Sequence, residues 1–313
     1  MHKIFKIFYF FKIEKNMVKD ISRRRFLRDL SLSAGFVGIS SLLPSCSALI
    51  YKEYNFGTKS LKNNFNPVRF GFMNIANCRG DYYDTFRPVS RDEVWYYIGK
   101  VTEFAKDNKI EVFCMNEVDF KSLRTCWIDQ SKVIAKKLQY RYVVKDVYCN
   151  IPGFINTGNC IISKYPLKIN DRRHFGKSIF RAKHIFKTYL DVTLDKKLDI
   201  LLTHFYDGVE KVRVKEAKML RKAIMKKAKQ NKKLVICGDF NDEKGSKTIE
   251  HILEPDYVVA PEGWDKDLTY RSSELVTNID HLFHSNNIKV ENYTIDKRII
   301  SDHLGLYADV FIK

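Results

Sequence analysis

Short apolar runs recur along the chain from residue 68 onwards and alternate with longer segments whose apolar residues have helical spacing. Short runs bounded by polar residues predict β-strands, whereas apolar positions three and four residues apart predict amphipathic helices. The predicted helices are Arg91–Asn108, Asp129–Leu138 and Val209–Gln230. The predicted strands are Val68–Ile75, Ile110–Met115, Cys160–Ser163, Leu190–Leu194, Leu198–Thr203, Leu234–Cys237, Ile279–Phe283 and Leu306–Ile312.

The composition of these segments indicates how they are buried. Ile110–Met115 and Leu234–Cys237 are almost wholly apolar, which is typical of strands covered on both faces. In Val209–Gln230, Lys and Arg crowd the side opposite the apolar stripe, and we interpret that side as a solvated surface rather than a binding site. Strands that alternate with helices, without an internal repeat or a low-complexity segment, predict a single α/β domain over residues 67–313.

Residues 1–46 have the pattern of a signal region rather than of a folded element. Basic residues Arg23–Arg25 precede a mildly apolar stretch, Leu30–Leu43, and small residues follow, in the order typical of an export signal. The apolar stretch is too short for a conventional membrane span. The Arg23-Arg24 pair is similar to that of a twin-arginine signal. The alternative is an ordinary basic amphipathic N-terminus.

The four residues that end at Cys46 resemble a lipobox, in which the cysteine becomes the lipidated first residue of the mature protein. Leu43 and Ser45 fit this pattern, whereas Pro44 is unusual. We therefore expect an exported lipoprotein, periplasmic or on the cell surface, that is anchored to the membrane through Cys46. Because Met1–Asn16 is a long preface for a signal peptide, we expect translation to start at Met17.

Residues 47–66 are polar, contain several Lys and Asn residues, and lack sustained periodicity. This composition predicts a flexible tether between the anchor and the domain. About 20 flexible residues have a root-mean-square reach of roughly 25 Å, which would hold the domain just off a membrane.

Composition and charge narrow the class of protein without choosing its partner. The 313 residues include 45% apolar and 13% aromatic residues, enough for one large core or two small ones, which argues against a disordered or fibrous chain. The net charge is +18, of which +6 lies in residues 1–46. The surplus attracts anionic partners such as nucleic acid, phospholipid headgroups or phosphorylated small molecules, although a Lys-rich solubilising surface explains any single charge run as well.

The seven cysteines do not form a recognisable metal or redox motif, since they show neither a CxxC pair nor the Cys/His spacing of zinc sites. Cys114, Cys160 and Cys237 fall inside apolar runs, where cysteine usually packs as a small core residue. If the chain is exported, an oxidising compartment would permit disulfides among the other cysteines, and the sequence does not decide whether they form.

Polar and ionisable residues stand at the ends of the predicted strands. Such residues are costly beside buried strands unless they are paired or functional, and ligand groups collect at the carboxyl ends of strands. Taken singly, each has a simpler explanation, because Asn and Asp cap turns and a lone His is usually structural. Together they form an ordered set: Asn74, Glu117, His204, Asp239, Asn241, Asp280, Asp302 and His303.

These residue types converge on one chemistry. Carboxylate and amide oxygens with imidazoles, and no thiol, suit a hard cation such as Mg²⁺ or Mn²⁺. Such an ion polarises a phosphoryl oxygen while a carboxylate orients water, and cationic histidines stabilise the charge of the transition state. The sequence contains neither a GxxxxGK[ST] loop nor a GxSxG motif, so nucleotide-driven and serine-esterase chemistry lack their usual signatures.

Seven short motifs in a fixed order resemble the endonuclease/exonuclease/phosphatase superfamily, which includes pancreatic-type deoxyribonuclease, apurinic endonucleases, bacterial sphingomyelinases and inositol polyphosphate 5-phosphatases. Each motif is weak alone, but together they span about residues 68–312. They are Met73–Ile75, Met115–Asp119, Thr157–Pro166, Thr203–Phe205, Gly238–Asn241, Ile279–Phe283 and Ser301–His303.

The resemblance implies a fold and a set of roles. The fold is a deoxyribonuclease I-like four-layer sandwich, in which two mixed β-sheets lie face to face and helices flank them. The implied metal residues are Asn74, Glu117 and Asp302, and the implied substrate-binding residue is Asn159. The implied catalytic residues are His204 and His303 facing the phosphate, Asp239 activating water, Asn241 positioning the phosphate and Asp280 orienting His303.

Three positions depart from the family pattern. Asn116 stands where Gln is usual, Gly305 replaces a Pro, and His281 replaces a common Tyr. None of these changes removes an implied catalytic group, so they put local geometry in question rather than activity.

The substrate stays open at this point. We expect a phosphodiesterase or phosphatase that acts on one of three phosphate-containing substrates: nucleic acid, a sphingomyelin-like lipid or a small phosphorylated molecule. A lipid phosphodiesterase would expose apolar residues beside the cleft, and Trp264–Ser273 is a candidate loop, although core packing of its aromatic residues is favoured. A non-catalytic binding lipoprotein on the same fold is the alternative from another class. We expect a monomer.

Overall fold

Two mixed β-sheets packed face to face form the centre of the protein. Their strands and a separate two-stranded ribbon are β1 (Ala48–Glu53), β2 (Val68–Asn74), β3 (Val112–Asp119), β4 (Tyr142–Ile151), β5 (Ile155–Ser163), β6 (Leu167–His174), β7 (Thr188–Leu194), β8 (Leu198–His204), β9 (Leu234–Asp239), β10 (Val258–Val259), β11 (Tyr270–Arg271), β12 (Val276–Thr277), β13 (Asp280–Ser285), β14 (Lys289–Ile295) and β15 (Leu306–Phe311). The first sheet has the order β1-β4-β5-β3-β2-β15-β14 and the second β10-β13-β9-β8-β7-β6, while β11 and β12 form the ribbon. Within each large sheet one central pair is parallel, β2 with β3 and β8 with β9.

The helices are α1 (Arg91–Asp107), α2 (Gln130–Leu138), α3 (Glu210–Lys229) and α4 (Lys247–Leu253), and short 3₁₀ turns occupy Ala76–Cys78 and Leu123–Thr125. Their starts follow from local chemistry. Ser90 and Glu93 form a reciprocal capping box before α1, and the Asp129 side chain accepts a hydrogen bond from the Lys132 N–H at the start of α2.

Three apolar clusters hold the layers together. The first lies between the sheets and includes Phe70, Phe72 and Leu202. A second packs α1 and α2 on the outer face of the first sheet, and a third packs α3 and α4 on the outer face of the second. This is the four-layer α/β sandwich that the sequence predicts, so the predicted fold is confirmed.

The computed structural model describes residues 48–54, 67–81, 89–151, 154–175, 188–195, 197–253, 256–271 and 276–312. The predicted signal region, with the possible start at Met17 and the lipidation site Cys46, lies outside these residues. Ser45–Lys313 forms one compact unit. Among the described residues, no helix combines the length and apolar character that a membrane span requires.

The predicted flexible tether over residues 47–66 is wrong for its first part. Ala48–Glu53 pairs antiparallel with β4 as an edge strand of the first sheet. Ala48 and Ile50 pack on the cluster under α1 and α2, whereas Leu49 packs on the cluster between the sheets. The apolar run Ala48–Tyr51 is only four residues long, so a search for sustained periodicity overlooks it. Residues 55–66 lie outside the described part of the chain.

The eight predicted strands and three predicted helices all correspond to observed elements. The strands that the pattern missed, chiefly β4, β6 and β14, are those in which charged residues interrupt the apolar alternation. In β4, Lys145 and Asp146 are buried inside the protein, where ion pairs with Asp129 and Arg172 compensate their charges. Such pairing depends on distant segments and leaves no local signal.

The cysteines behave as the apolar runs predict. Cys114, Cys160 and Cys237 are at most 1% exposed. The six cysteines among the described residues are all free thiols, so no disulfide contributes to this part of the fold.

Candidate active site

The predicted site residues converge because strands from both sheets end at the same edge of the sandwich. In the first sheet, Asn74 at the end of β2 lies beside Asn116 in β3. In the second, His204 at the end of β8 and Asp280 at the start of β13 flank Asp239 at the end of β9. Parallel neighbours end together, and β13 runs antiparallel to β9, so its first residue reaches the same edge.

A glycine allows β8 and β9 to approach closely at this point. Gly238 precedes Asp239, and a Cβ atom at that position would overlap the carbonyl oxygen of Thr203 in β8. The absence of a side chain therefore permits the register in which His204 and Asp239 stand side by side.

A β-bulge directs Glu117 into the site. The pairing of β3 with β5 shifts register between Met115 and Val118, and Glu117 adopts a left-handed φ of 53°. The Asn77 side chain donates a 2.7 Å hydrogen bond to the Glu117 carbonyl. Bulges re-aim side chains next to active sites, and here the Glu117 side chain is 36% accessible.

The Asp239 carboxylate lies at the centre of the site. Its Oδ2 accepts a 3.1 Å hydrogen bond from Asn74 Nδ2. The same oxygen lies 3.4 Å from His204 Nε2 and 3.8 Å from His303 Nε2. Asn74 Nδ2 is also 3.3 Å from Glu117 Oε1, so this amide cross-links two acids of the site. Asn74 thus turns a donor, rather than its amide oxygen, towards the carboxylates.

His303 forms a buried pair with Asp280. Its Nδ1 lies 2.8 Å from Asp280 Oδ2, and the backbone N–H of Asp280 donates to Thr269 Oγ1. Burial alone would lower the pKa of His303, but the carboxylates of Asp280 and Asp302 outweigh it and raise that pKa to about 10. His303 is therefore a cation at neutral pH, and its Nε2 is a hydrogen-bond donor directed towards the site.

Asp302 completes the acidic side of the site. The Ser301 hydroxyl donates to Asp302 Oδ1 at 3.0 Å and is also 2.8 Å from the Asn74 carbonyl, which ties this loop to the end of β2. Burial raises the pKa of Asp302, and the nearby Glu117 carboxylate raises it further against the opposing effect of His303. A cation bound between the two carboxylates would favour the ionised form of Asp302.

The donor chemistry fits a divalent hard metal ion. Carboxylate oxygens predominate among the residues at this edge, and no thiol is among them. Ligand atoms of Asp239, Asp280 and His303 lie within 4.8 Å of one another, but His303 is cationic and occupied by Asp280, and a protonated imidazole has no lone pair to give. We therefore interpret that trio as a hydrogen-bonded unit and regard Glu117 and Asp302 as the better metal ligands.

Asn241 follows Asp239 in a turn that is held from several sides. Its backbone N–H donates to Asp239 Oδ1, and its side chain donates to the Phe205 carbonyl at 2.9 Å. The next residue, Asp242, forms a 2.8 Å ion pair with Arg213 of α3. The turn thereby connects the end of β9 to the residue that follows β8, and it fixes the Asn241 amide at the Phe205 carbonyl.

Asn159 does not reach the cleft surface. Its side chain is fully buried, and both ends of its amide bond protein groups, namely Asn116, Asp146 and Thr188. The implied role of substrate binding is therefore corrected, since the structure gives Asn159 no open face for a ligand. The family motif predicts a polar residue at position 159, but the orientation of its side chain depends on hydrogen-bond partners in three other strands.

Two aromatic residues, Tyr270 and Tyr148, border the site, and only the first lies in a segment that the sequence indicates as a candidate loop. The Tyr270 ring lies 4.7 Å from the His303 ring, and the Tyr148 ring lies 6.3 Å from that of His204. Trp264, by contrast, is only 9% exposed and packs on His281 and Phe283. The favoured interpretation of Trp264 as a core residue is confirmed, whereas Tyr270 of the same segment lies beside the site.

The model of the endonuclease/exonuclease/phosphatase family matches residues 76–303 of the chain, a span that contains nearly all of these site residues. No curated protein matches the chain in sequence.

Solved structures with a similar fold include three of differing description. An endonuclease/exonuclease/phosphatase from Bacteroides vulgatus is 18% identical, with a TM-score of 0.59 over 79% of this chain and 99% of that chain. TDP2 from Caenorhabditis elegans is 18% identical, with a TM-score of 0.56 over 78% and 74% of the two chains. A mannosyl-6-phosphatase from Bacteroides thetaiotaomicron is 11% identical, with a TM-score of 0.55 over 78% and 99%. Identities this low show a shared fold alone.

Proposed function

Because the chain belongs to the endonuclease/exonuclease/phosphatase family, whose members hydrolyse phosphate esters, we propose that it is a divalent-metal-dependent phosphoesterase. The observation that carries the proposal is the position of the Asp239 carboxylate between two imidazoles. Its Oδ2 lies within 3.8 Å of the Nε2 atoms of both His204 and His303. A base and two imidazole donors thus share one edge with the acids Glu117 and Asp302.

Each residue of the site has its own role in the proposed hydrolysis. Asp239 orients a water molecule and accepts its proton as the water oxygen attacks phosphorus. His303, kept cationic by Asp280, and His204 donate hydrogen bonds to phosphate oxygens, where negative charge develops. The Asn241 amide, fixed by the Phe205 carbonyl, holds the phosphate in place.

Glu117 and Asp302 would hold a Mg²⁺ or Mn²⁺ ion. When bound, such an ion polarises the phosphoryl oxygen and neutralises charge on the leaving oxygen. Asn74 supports this side of the site by holding the Glu117 and Asp239 carboxylates apart at a fixed spacing. The complete set of acids and histidines argues against a non-catalytic binding protein on the same fold.

The test of the proposal is the turnover of Asp239→Asn. We expect kcat to fall by about 10²- to 10⁴-fold, since an amide cannot accept the proton of the attacking water. The melting temperature should stay close to that of the wild type, because the amide keeps the shape of the side chain. Asp309→Asn is the matched control, since Asp309 pairs with Arg69 on β2, away from the site residues. Normal turnover of Asp239→Asn would overturn the assignment.

The class of substrate is resolved by assaying DNA, RNA, sphingomyelin, phosphoinositides, nucleotides and sugar phosphates side by side. A preference for bis-p-nitrophenyl phosphate over p-nitrophenyl phosphate would identify a phosphodiesterase, and the reverse a phosphomonoesterase. Among the similar structures, one is described as a sugar phosphatase, so sugar phosphates belong in the panel.

For the location of the protein, we propose export and anchoring through a lipid on Cys46. The basic, apolar and small-residue segments of residues 23–46 support this proposal. In cell fractionation, the wild-type chain should sediment with membranes and Cys46→Ser should appear in the soluble exported fraction. A Cys46→Ser variant that remains with membranes would contradict lipid anchoring at this residue.

A further inference from the structure

A chain of buried amides links the backbone of Asp239 to a distant carboxylate. The Asp239 N–H donates to Asn116 Oδ1 at 3.0 Å, and Asn116 Nδ2 donates to Asn159 Oδ1 at 2.7 Å. Asn159 Nδ2 in turn donates to Asp146 Oδ2 at 3.2 Å. The path runs from β9 of the second sheet through β3, β5 and β4 of the first sheet and ends at Asp146. Asp146 Oδ1 lies 2.5 Å from the Nε atom of Arg172, which belongs to β6 of the second sheet.

Every link in this path is shielded from water. Asn116, Asn159, Asp146 and Thr188 are all 0% exposed, and Asp239 is 2% exposed. Thr188 reinforces the far end, since its hydroxyl donates to Asp146 Oδ2 and accepts from Asn159 Nδ2. In such surroundings an unsatisfied or reversed hydrogen bond is costly, because no solvent can replace the lost partner.

The charge of Asp146 fixes the direction of the whole path. An ionised carboxylate only accepts hydrogen bonds, so Asn159 must turn its NH₂ group towards Asp146 and its oxygen towards Asn116. Asn116 must then turn its NH₂ group towards Asn159, which leaves its oxygen facing the Asp239 N–H. An acceptor therefore stands at Asp239 because an acceptor stands at Asp146, three side chains away.

We propose that Asp146 is a positioning residue for Asp239, acting through Asn159 and Asn116. This inference rests on the proposed function, because it concerns how the base of that reaction is held. The anchored N–H sets the end of β9, and with it the distance from the Asp239 carboxylate to the two histidines. Displacements of about 1 Å at such a group lower turnover roughly 100-fold.

The substitution Asp146→Asn is expected to reverse the direction in which each hydrogen bond of the path is donated. The Arg172 cation, which forms an ion pair with Asp146, lies on one side of position 146 and attracts the oxygen of the new amide. Its NH₂ group then faces Asn159, which turns over and forces Asn116 to present NH₂ to the Asp239 N–H, so two donors meet. We expect kcat to fall about 100-fold and KM to change less than about threefold, because His204 and His303 still face the substrate.

The double substitution Asp146→Asn/Asn159→Asp restores the direction. The carboxylate at 159 accepts from Asn116 Nδ2 and from the new amide at 146, so Asn116 again offers its oxygen to Asp239. The count of charges is unchanged. Asn159→Asp alone should lose both stability and activity, since it places two carboxylates next to each other in the core.

Asp191→Asn is the matched control for loss of a buried carboxylate. Asp191 lies in β7, is 5% exposed, and bonds Lys227 and Asn170 rather than any residue of the path. We expect it to lower the melting temperature and to leave kcat and KM unchanged.

The experiment measures kcat, KM and the melting temperature of the full chain and these four variants with bis-p-nitrophenyl phosphate and Mn²⁺. The expected result is a kcat loss in Asp146→Asn that the double substitution recovers to within about tenfold of wild type. A folded Asp146→Asn with wild-type kcat would overturn the inference, as would a double variant that fails to fold or stays as inactive as Asp146→Asn. An inactive wild type would instead overturn the proposed function.

Discussion

At the scale of single residues, Asp280 illustrates how a fully buried carboxylate sets the charge and orientation of a histidine in the proposed site. Its Oδ2 bonds His303 Nδ1, while its Oδ1 has no hydrogen-bond partner among the described residues. A buried, charge-assisted hydrogen bond of this kind both orients the imidazole and keeps it cationic.

We predict that Asp280→Asn lowers kcat by about 10²- to 10⁴-fold, in the range found when a general acid–base group or its orienting partner is removed. The amide preserves shape but no longer stabilises the imidazolium. Steady-state kinetics on phosphate esters measures the effect, with Asp309→Asn as the control for a charge lost elsewhere. A variant within threefold of wild-type kcat would show that His303 does not depend on Asp280.

The residues of the site could be predicted from the sequence, but their orientations could not. Each stands beside an apolar run, and the order of the motifs matches a known pattern. The burial of Asn159 and the donor role of Asn74 follow instead from partners in other strands, such as Asp146 and Glu117. Asn116, noted only as a departure from the family pattern, proves to hold the backbone of Asp239.

At the scale of elements, the start of α2 is joined to β4 by an ion pair between Asp129 and Lys145, 2.6 Å apart. Asp129 also caps the helix through the Lys132 N–H. Burial alone would raise the pKa of Asp129, but Lys145 and the hydrogen bonds from Ser131 and Lys132 outweigh burial and lower it. The pair thus couples a helix to a strand that the apolar pattern did not reveal.

We predict that Asp129→Ala lowers the free energy of unfolding by about 3–5 kcal/mol, because it leaves the Lys145 ammonium buried and unpaired. Since the folded-state pKa of Asp129 is below its unfolded value, its contribution is present above the unfolded pKa, near 3.9, and is lost as pH falls through the folded value. Denaturant unfolding at pH 7 and at pH 3 measures both effects.

The control for this prediction is Glu103→Ala, which removes an exposed pair with Lys100 on the surface of α1. Exposed pairs of this kind contribute at most about 1 kcal/mol. If the difference between Asp129→Ala and wild type did not shrink at all as the pH was lowered step by step below the unfolded pKa of Asp129, the ion pair would not be its cause.

The elements themselves were predictable wherever an apolar pattern extends over several residues. β2, β3, β8 and β9 carry such patterns and were found. The sequence predicts a tether at β1 because the apolar run there is short, and it does not indicate β4 because ion pairs compensate the buried charges of that strand. Local periodicity reports burial of apolar side chains, and it cannot report burial of charges that are paired over long distances.

At the scale of the whole molecule, the site depends on two sheets being held in one relative position. Asn74 and Glu117 come from the first sheet, and His204 and Asp239 from the second. The acids of the two sheets and the Ser301–His303 loop meet at one edge, where a metal ion would bind to more than one element. Metal binding should therefore stabilise the folded state as a whole.

We predict that Mg²⁺ or Mn²⁺ at about 100 times its Kd adds about 2.7 kcal/mol to the free energy of unfolding, which corresponds to a rise in Tm of several degrees for a domain of this size. Thermal unfolding with metal and with chelator measures it. Glu117→Gln should greatly reduce the rise, and Asp309→Asn should not. A rise of the same size in Glu117→Gln would exclude Glu117 as a metal ligand.

The central claim is that this site hydrolyses phosphate esters with the help of a divalent metal ion. Its most direct test is the initial rate of bis-p-nitrophenyl phosphate hydrolysis by the purified chain, measured with Mg²⁺ or Mn²⁺ and again with excess chelator. We predict hydrolysis with metal, a background rate with chelator, recovery when metal is restored, and a background rate for His303→Ala under all conditions. Equal rates with and without chelator would contradict the claim.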